Sequence, residues 1–358
     1  MKLPKLILAS ILASGLSALT TQQAYALNLP ICELPVNCLT FGDFNVYSLP
    51  LLDLQAGGDG VPKPGDSFYA PATYGAIQNN TIIGINNGNS TQTGNPSTTT
   101  DGSFNTPSQN NTTNQIFSTA TAPDPNGGPA IGDGRSWDST VGALQTLIGG
   151  ANNPLVAFFA FNETGSGTGL LTTDLLIWAK VTLYDYTETG DILNSKSFYL
   201  SGNGSTDTPD ETHLPDTANA TQDTVGPWVY VHAGICVSDA GQFVGFPTNG
   251  VCASGTVKNQ NNLGQNAAAF AINSPDLDTA MQSGDYNVFS LDWKMAYING
   301  GGETAWFMPA GVDAQCPPGS TDPICLPINV PEPLSLSLLG IGLLGLGASR
   351  RFIKPRRA

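Results

Sequence analysis

The sequence is poor in the residues that carry most enzyme chemistry. Only two histidines, His213 and His232, occur in 358 residues, and charged side chains make up 11% of the chain, well under the usual quarter. There is no Gly-x-Ser-x-Gly elbow, no His-Glu-x-x-His pair and no phosphate-binding Gly-rich loop, so no local motif marks a serine hydrolase, zinc protease or nucleotide hydrolase. Cys-x-x-Cys is also missing, which removes the usual zinc spacing. Basic residues are scarcer still. Between 27 and 330 there are six, Lys63, Arg135, Lys180, Lys196, Lys258 and Lys294, against 27 acids, a net charge of −21. That balance argues against nucleic acid or anionic lipid as partners and favours solubility or affinity for divalent cations.

In place of charge the chain carries Asn, Thr, Ser, Gly and Pro, so neutral hydrogen-bonding groups cover its surface. At 40% hydrophobic it can still bury a substantial core. Six cysteines fall in three sequence-local pairs, Cys32 with Cys38, Cys236 with Cys252 and Cys316 with Cys325. An even count in an exported chain favours disulfides, here as staples on long loops. Closing a loop such as 236–252 is worth about 3 kcal/mol in the chain-entropy model.

Short β-branched or aromatic runs bounded by Gly, Pro, Asn or Asp occur at 41–49, 74–85, 154–162, 174–187, 192–200, 227–237, 242–251, 267–273, 286–298 and 304–308. Many strands with turn signals and few helical patterns predict an all-β fold, an antiparallel jelly-roll-like β-sandwich with long polar loops. One short helix is expected within 135–149, where Val141, Leu144, Leu147 and Ile148 share a helical face. The stretch 86–130 has almost no apolar residues and reads as a polar surface excursion whose composition does not offset the entropy of ordering it. Gly42-Asp43-Phe44-Asn45-Val46-Tyr47-Ser48-Leu49 returns as Gly284-Asp285-Tyr286-Asn287-Val288-Phe289-Ser290-Leu291. The two segments are expected to be equivalent strands near the start and end of the fold, with their aromatic residues facing the core.

The ends carry an address. Residues 1–26 combine Lys2 and Lys5, an apolar run from 6 to 19, and Ala24-Tyr25-Ala26, the order of a signal helix cut by signal peptidase so that the mature ectodomain begins near Leu27 and runs to 330. Residues 331–358 hold Pro331-Glu332-Pro333, an apolar run 334–348, and Arg350, Arg351, Lys354, Arg356 and Arg357. Fifteen helical residues span about 22 Å, short of the ~30 Å hydrocarbon core, so this membrane helix suits a transient anchor. Its basic end stays cytoplasmic, which leaves the Pro-Glu-Pro outside, held out of helix by its prolines and open to a protease.

This order of parts resembles the PEP-CTERM sorting signal, over the tail alone. The resemblance implies processing by a membrane-embedded exosortase near Pro331 to Pro333. It further implies passage through the inner membrane and final placement at the cell surface or in the matrix of a Gram-negative, exopolysaccharide-producing cell.

Chemistry is harder to find. Asp207, Asp210, Glu211 and Asp216, with Asp223, gather in one loop whose hard oxygen ligands suit calcium, the one cofactor this composition would accommodate. The segment 133–138 is a weaker candidate. His232 is expected to be a hydrogen-bonded strand histidine. Paired carboxylates would leave no local motif in a β fold, and Trp137, Trp178, Trp228, Trp293 and Trp306 are expected in the core more than on a sugar-stacking face. No catalytic residue is assigned. The expected function is that of a non-catalytic surface or matrix protein held with extracellular polysaccharide, in biofilm or floc. A carbohydrate-binding module and a secreted hydrolase are the alternatives, to be separated by an aromatic platform, a metal site or two facing carboxylates.

Overall fold

A computed structural model describes residues 27–72, 81–86, 108–110, 116–119, 136–160, 162–163, 173–210, 214–216, 223–263, 267–298 and 302–312. In chain order the first elements are β1 (Asn28–Leu29), β2 (Leu39–Phe41), β3 (Phe44–Ser48), α1 (Leu49–Gln55), β4 (Thr81–Asn86), β5 (Ser108–Asn110), β6 (Ile116–Ser118), β7 (Trp137–Thr140) and α2 (Val141–Leu147). Next come β8 (Ala157–Ala160), β9 (Leu175–Tyr186), β10 (Ile192–Leu200), β11 (Thr224–Val225), β12 (Trp228–Val231), β13 (Gly234–Val237), β14 (Phe243–Gly245) and β15 (Thr256–Asn259). The last are β16 (Phe270–Asn273), α3 (Pro275–Gln282), β17 (Val288–Ala296), β18 (Gly302–Phe307) and β19 (Gly311–Val312).

The fold is mostly β, as expected, and its sheets are antiparallel except for two short parallel pairings, β1 with β19 and β4 with β5. One seven-stranded sheet runs β11-β12-β9-β17-β6, with β10 also on β9 and β7 also on β17. The other runs β2-β3-β16-β8-β18-β4-β5, and β14-β13-β15 form a small third sheet. One of the sheets curves into a half-barrel. The apolar faces of the two large sheets meet in a single core: Phe159 on β8 lies 5.9 Å from Trp293 on β17, and Phe307 on β18 lies 5.8 Å from Trp137 on β7. Trp137, Phe117, Phe159, Phe198 and Phe289 are all buried there, and each such side chain is worth about 1.5–3 kcal/mol of transfer free energy. The strand β9 spans the whole sheet because its sequence, Leu-Leu-Ile-Trp-Ala-Lys-Val-Thr-Leu, is apolar on both faces over its first half. A strand covered on both sides reads as a continuous run in place of an alternation.

The predicted helix is present as α2, capped by the Thr140 hydroxyl, which accepts from the Ala143 N–H at 3.1 Å. Two further helices were not anticipated. Ser48 caps α1, with Pro50 inside its first turn, and Ser274 caps α3, with Pro275 at its start. A serine followed within two residues by proline is a helix-start signal, and in both places it overrides the β reading of the flanking residues. The strand expected over 41–49 therefore stops at Ser48.

The two similar octapeptides lie in different large sheets. Each opens on a glycine of positive φ, Gly42 at 60° and Gly284 at 79°, and leads into β3 and β17 respectively. Gly42 has a second reason to lack a side chain: a Cβ there would stand 2.2 Å from the Tyr199 carbonyl oxygen. Phe44, Tyr47 and Phe289 are buried and Tyr286 is half-buried. The copies diverge at their ends, since Leu49 begins a helix while Leu291 continues a strand.

The reading of 86–130 as one polar excursion needs correction. Within it β5 pairs with β4, and β6 pairs with β17 through Ile116↔Ala296 and Phe117↔Met295. Phe117 is fully buried, so one apolar triplet is enough to draw that part of the stretch into the core. Cys32 is bonded to Cys38 and Cys236 to Cys252. Cys316, Cys325, the cleavage residues Ala24 and Ala26, and the tail from Pro331 to Arg351 lie outside the described residues.

Candidate functional site

A pocket of about 70 Å³, open on one side, lies where the two large sheets meet beneath the small third sheet. Its floor is core: Phe41, Phe159, Ile177 and Ile272. Its walls are β12 and the residues that follow it, together with Ile235 and Gln260. Pro35, from the loop stapled by Cys32–Cys38, and the half-buried Phe243 and Phe246 reach its rim. In β12 the side chains part in the period-2 manner of a strand: Val229 and Val231 join the main core, while Trp228 and Tyr230 pack with Leu176 and Trp178.

His232 follows directly and is held on both ring faces. Its ring centroid lies 4.3 Å from that of Tyr230 and 3.8 Å from that of Phe246, at interplanar angles of 22° and 15°. Its Nδ1 is 3.8 Å from Asp174 Oδ2, beyond hydrogen-bond distance. Asp174 accepts from the Tyr230 hydroxyl at 3.1 Å and from the Ala233 N–H at 2.8 Å, which fixes the corner of chain that carries the histidine. On the other side Gln260 donates Nε2–H to the His232 carbonyl at 3.1 Å and its own backbone N–H to Ala233 O. Its Oε1 is buried with no hydrogen-bond partner. Neither the pocket nor Gln260 was visible in sequence, because its walls come from segments more than 200 residues apart.

The proposed calcium loop is arranged differently. Among the described residues no three His, Cys, Asp or Glu side chains form a metal-holding group. Asp207 and Asp210 are exposed, and Glu211 lies outside the described residues, as does His213. The loop is anchored from below: buried Lys294 donates Nζ–H to the Pro209 carbonyl at 3.0 Å and sits 5.5 Å above the Trp178 ring. Tyr297 donates its hydroxyl to Pro215 O at 2.9 Å. Two donors on and just after β17 thus pin the loop at both ends. Asp223 accepts Tyr230 N–H through its backbone carbonyl, and burial raises its carboxyl pKa.

All five tryptophans are buried, at 0–3% exposure, so none forms an exposed stacking platform. Two carboxyls do face one another. Glu303, on β18, is wholly buried, and Glu163, just after β8, is nearly so. Register brings them together, since Thr304 pairs with Ala160. Burial raises the Glu303 pKa well above the carboxylate range, and the charge and hydrogen bond of Glu163 raise it further, against a weaker opposing pull from the Asn162 N–H. Both carboxyls are closed off from solvent, whereas a glycosidase pair must flank its substrate. A lone Glu beside the apolar run 304–308 was the available signal for this burial.

The pocket lies between Pro35 and Ile272, and a family model, the domain of unknown function DUF8239, matches residues 27–294. The chain belongs to the DUF8239 family. Every residue lining the pocket falls inside the DUF8239 match, whereas Glu303 falls beyond it. The match ends at Lys294, inside β17, although β18 inserts between β8 and β4 in the other large sheet. The tail carries the PEP-CTERM protein-sorting motif at residues 329–351, so the DUF8239 chain is an exported protein sorted to the cell surface through exosortase. No curated protein and no solved structure matches it.

Proposed function

We propose that this DUF8239 protein is a non-catalytic component of the outer cell surface or extracellular matrix, delivered by exosortase and retained with exopolysaccharide in biofilm or floc. The observation that carries the reading is the sorting motif at 329–351 on an acidic, neutral-amide-rich ectodomain. A surface of amides and hydroxyls with few cations suits hydrated polysaccharide better than nucleic acid or anionic lipid. In this reading the chain passes through the inner membrane of a Gram-negative cell by its C-terminal helix, and Pro331, Glu332 and Pro333 are the processing site, with Arg350 and Arg351 held on the cytoplasmic side.

The test is intact-mass analysis of the protein from medium and membranes of its host, with and without the exosortase, alongside co-sedimentation with the purified extracellular polymer. A form ending near 331–333 that needs exosortase, and that sediments with polymer, supports the proposal. An unprocessed membrane-held chain in both strains, or a processed chain that ignores the polymer, refutes it.

A further inference from the structure

We propose that the pocket beside His232 recognises the N-acetyl group of an amino sugar, the methyl seated among apolar side chains and the amide N–H donated to Gln260 Oε1. This rests on the reading that the protein works against extracellular polysaccharide and names the sugar chemistry it would select.

Size comes first. The pocket holds about 70 Å³, roughly half of the ~150 Å³ that accommodates benzene, so a whole ring does not enter. On the same measure one water needs about 10–15 Å³, so the pocket has room for a few heavy atoms, the methyl and carbonyl of an acetyl. Lining comes second. Phe41, Phe159, Ile177, Ile235 and Ile272 offer only apolar surface, which fits a methyl and rejects a bare hydroxyl.

Polarity comes third. The Gln260 amide is oriented by its bond to the His232 carbonyl, yet its Oε1 is buried without a donor. A buried acceptor in that state gains most from a ligand that brings an N–H, and an acetamido group carries that donor one bond from its apolar end. At the rim, exposed Pro35 and half-buried Phe243 offer apolar surface against which the sugar ring can lie. The net charge of −15 favours a neutral N-acetyl sugar over a uronic acid.

The experiment uses the full-length chain in mild detergent, titrated calorimetrically with N-acetylglucosamine, glucose and N-methylacetamide, with saturation-transfer NMR to locate the contact. Burying one methyl and making one neutral hydrogen bond combine to a preference of about tenfold for N-acetylglucosamine over glucose. Transfer should be strongest at the acetyl methyl, and N-methylacetamide should compete. Gln260→Met, which removes the acceptor, and Ile235→Phe, which fills the pocket, should each abolish the preference.

The wild-type comparison stands by itself if either variant fails to fold. Equal binding of both sugars, transfer to ring protons alone, or no binding at about 0.1 M sugar overturns the assignment and leaves a water-filled pocket. Co-sedimentation with polymer but no selectivity for the acetyl group refutes this site and spares the surface function. Acetyl selectivity without polymer association does the reverse.

Discussion

Replacing Asp278 with asparagine should stabilise the protein at alkaline pH and do little at acidic pH. Asp278 lies in the first turn of α3, where its Oδ1 accepts the Leu155 N–H at 2.7 Å. Burial raises its pKa from 3.8 to about 7, and the hydrogen bond from Leu155 only partly opposes that shift. A carboxyl with a raised folded pKa lends stability that is complete below its unfolded pKa and is lost as pH rises through the folded one. The window is therefore pH 4 to 8. A rise from 3.8 to about 7 corresponds to a ceiling of ~4 kcal/mol, and because the residue is only half-buried we expect about half of that after solvent screening.

Asparagine keeps an oxygen for Leu155 and never ionises. For a chain of this size about 2 kcal/mol moves Tm by roughly 3 °C. Wild type and Asp278→Asn should melt together at pH 4.5 and separate by about 3 °C at pH 8.5, the variant being higher, in calorimetric scans. A constant offset across that range, or a wild type that gains on the variant as pH rises, would refute the reasoning. Glu303 titrates in the same direction but is common to both chains, so the difference isolates Asp278.

Phe117→Ala should cost about 3–5 kcal/mol in chemical denaturation, because the residue is fully buried against β17 despite its polar neighbourhood; an effect under ~0.5 kcal/mol would return 116–118 to the surface. Joint replacement of Cys236 and Cys252 by alanine should lower stability by about 3 kcal/mol, and reduction of the wild type, which also opens Cys32–Cys38, should cost at least as much. Lys294→Met should destabilise by roughly 1.5–3 kcal/mol through loss of its charged hydrogen bond to Pro209 and expose the 207–216 loop to limited proteolysis. An unchanged digestion pattern would mean that the loop does not depend on that lysine.

Local rules determined a good deal of this protein. The β-branched or aromatic runs at 174–187, 192–200 and 286–298 became the strands 175–186, 192–200 and 288–296. The amphipathic turn after Thr140 became a helix, two of the cysteine pairs closed, and the sorting tail was legible from three segments in order. Those features depend on neighbours within a few residues, so a linear reading captures them. The helices after Ser48 and Ser274 were equally local and were passed over because β-like residues flank them.

Only tertiary structure decided the rest. Ile116-Phe117 sits in a polar stretch, and its place in the core exists only because β17 offers an edge 180 residues away. The acidic loop was legible as a run of carboxylates, but that Lys294, distant in sequence, anchors it through the Pro209 carbonyl was not. Glu163 and Glu303 are 140 residues apart and couple through strand register alone, which raises the Glu303 pKa in a way no composition could signal. The His232 pocket draws its walls from both large sheets, the small sheet and a disulfide-closed loop. Local sequence encodes backbone preference; a site depends on which distant side chains converge, and that is fixed by packing.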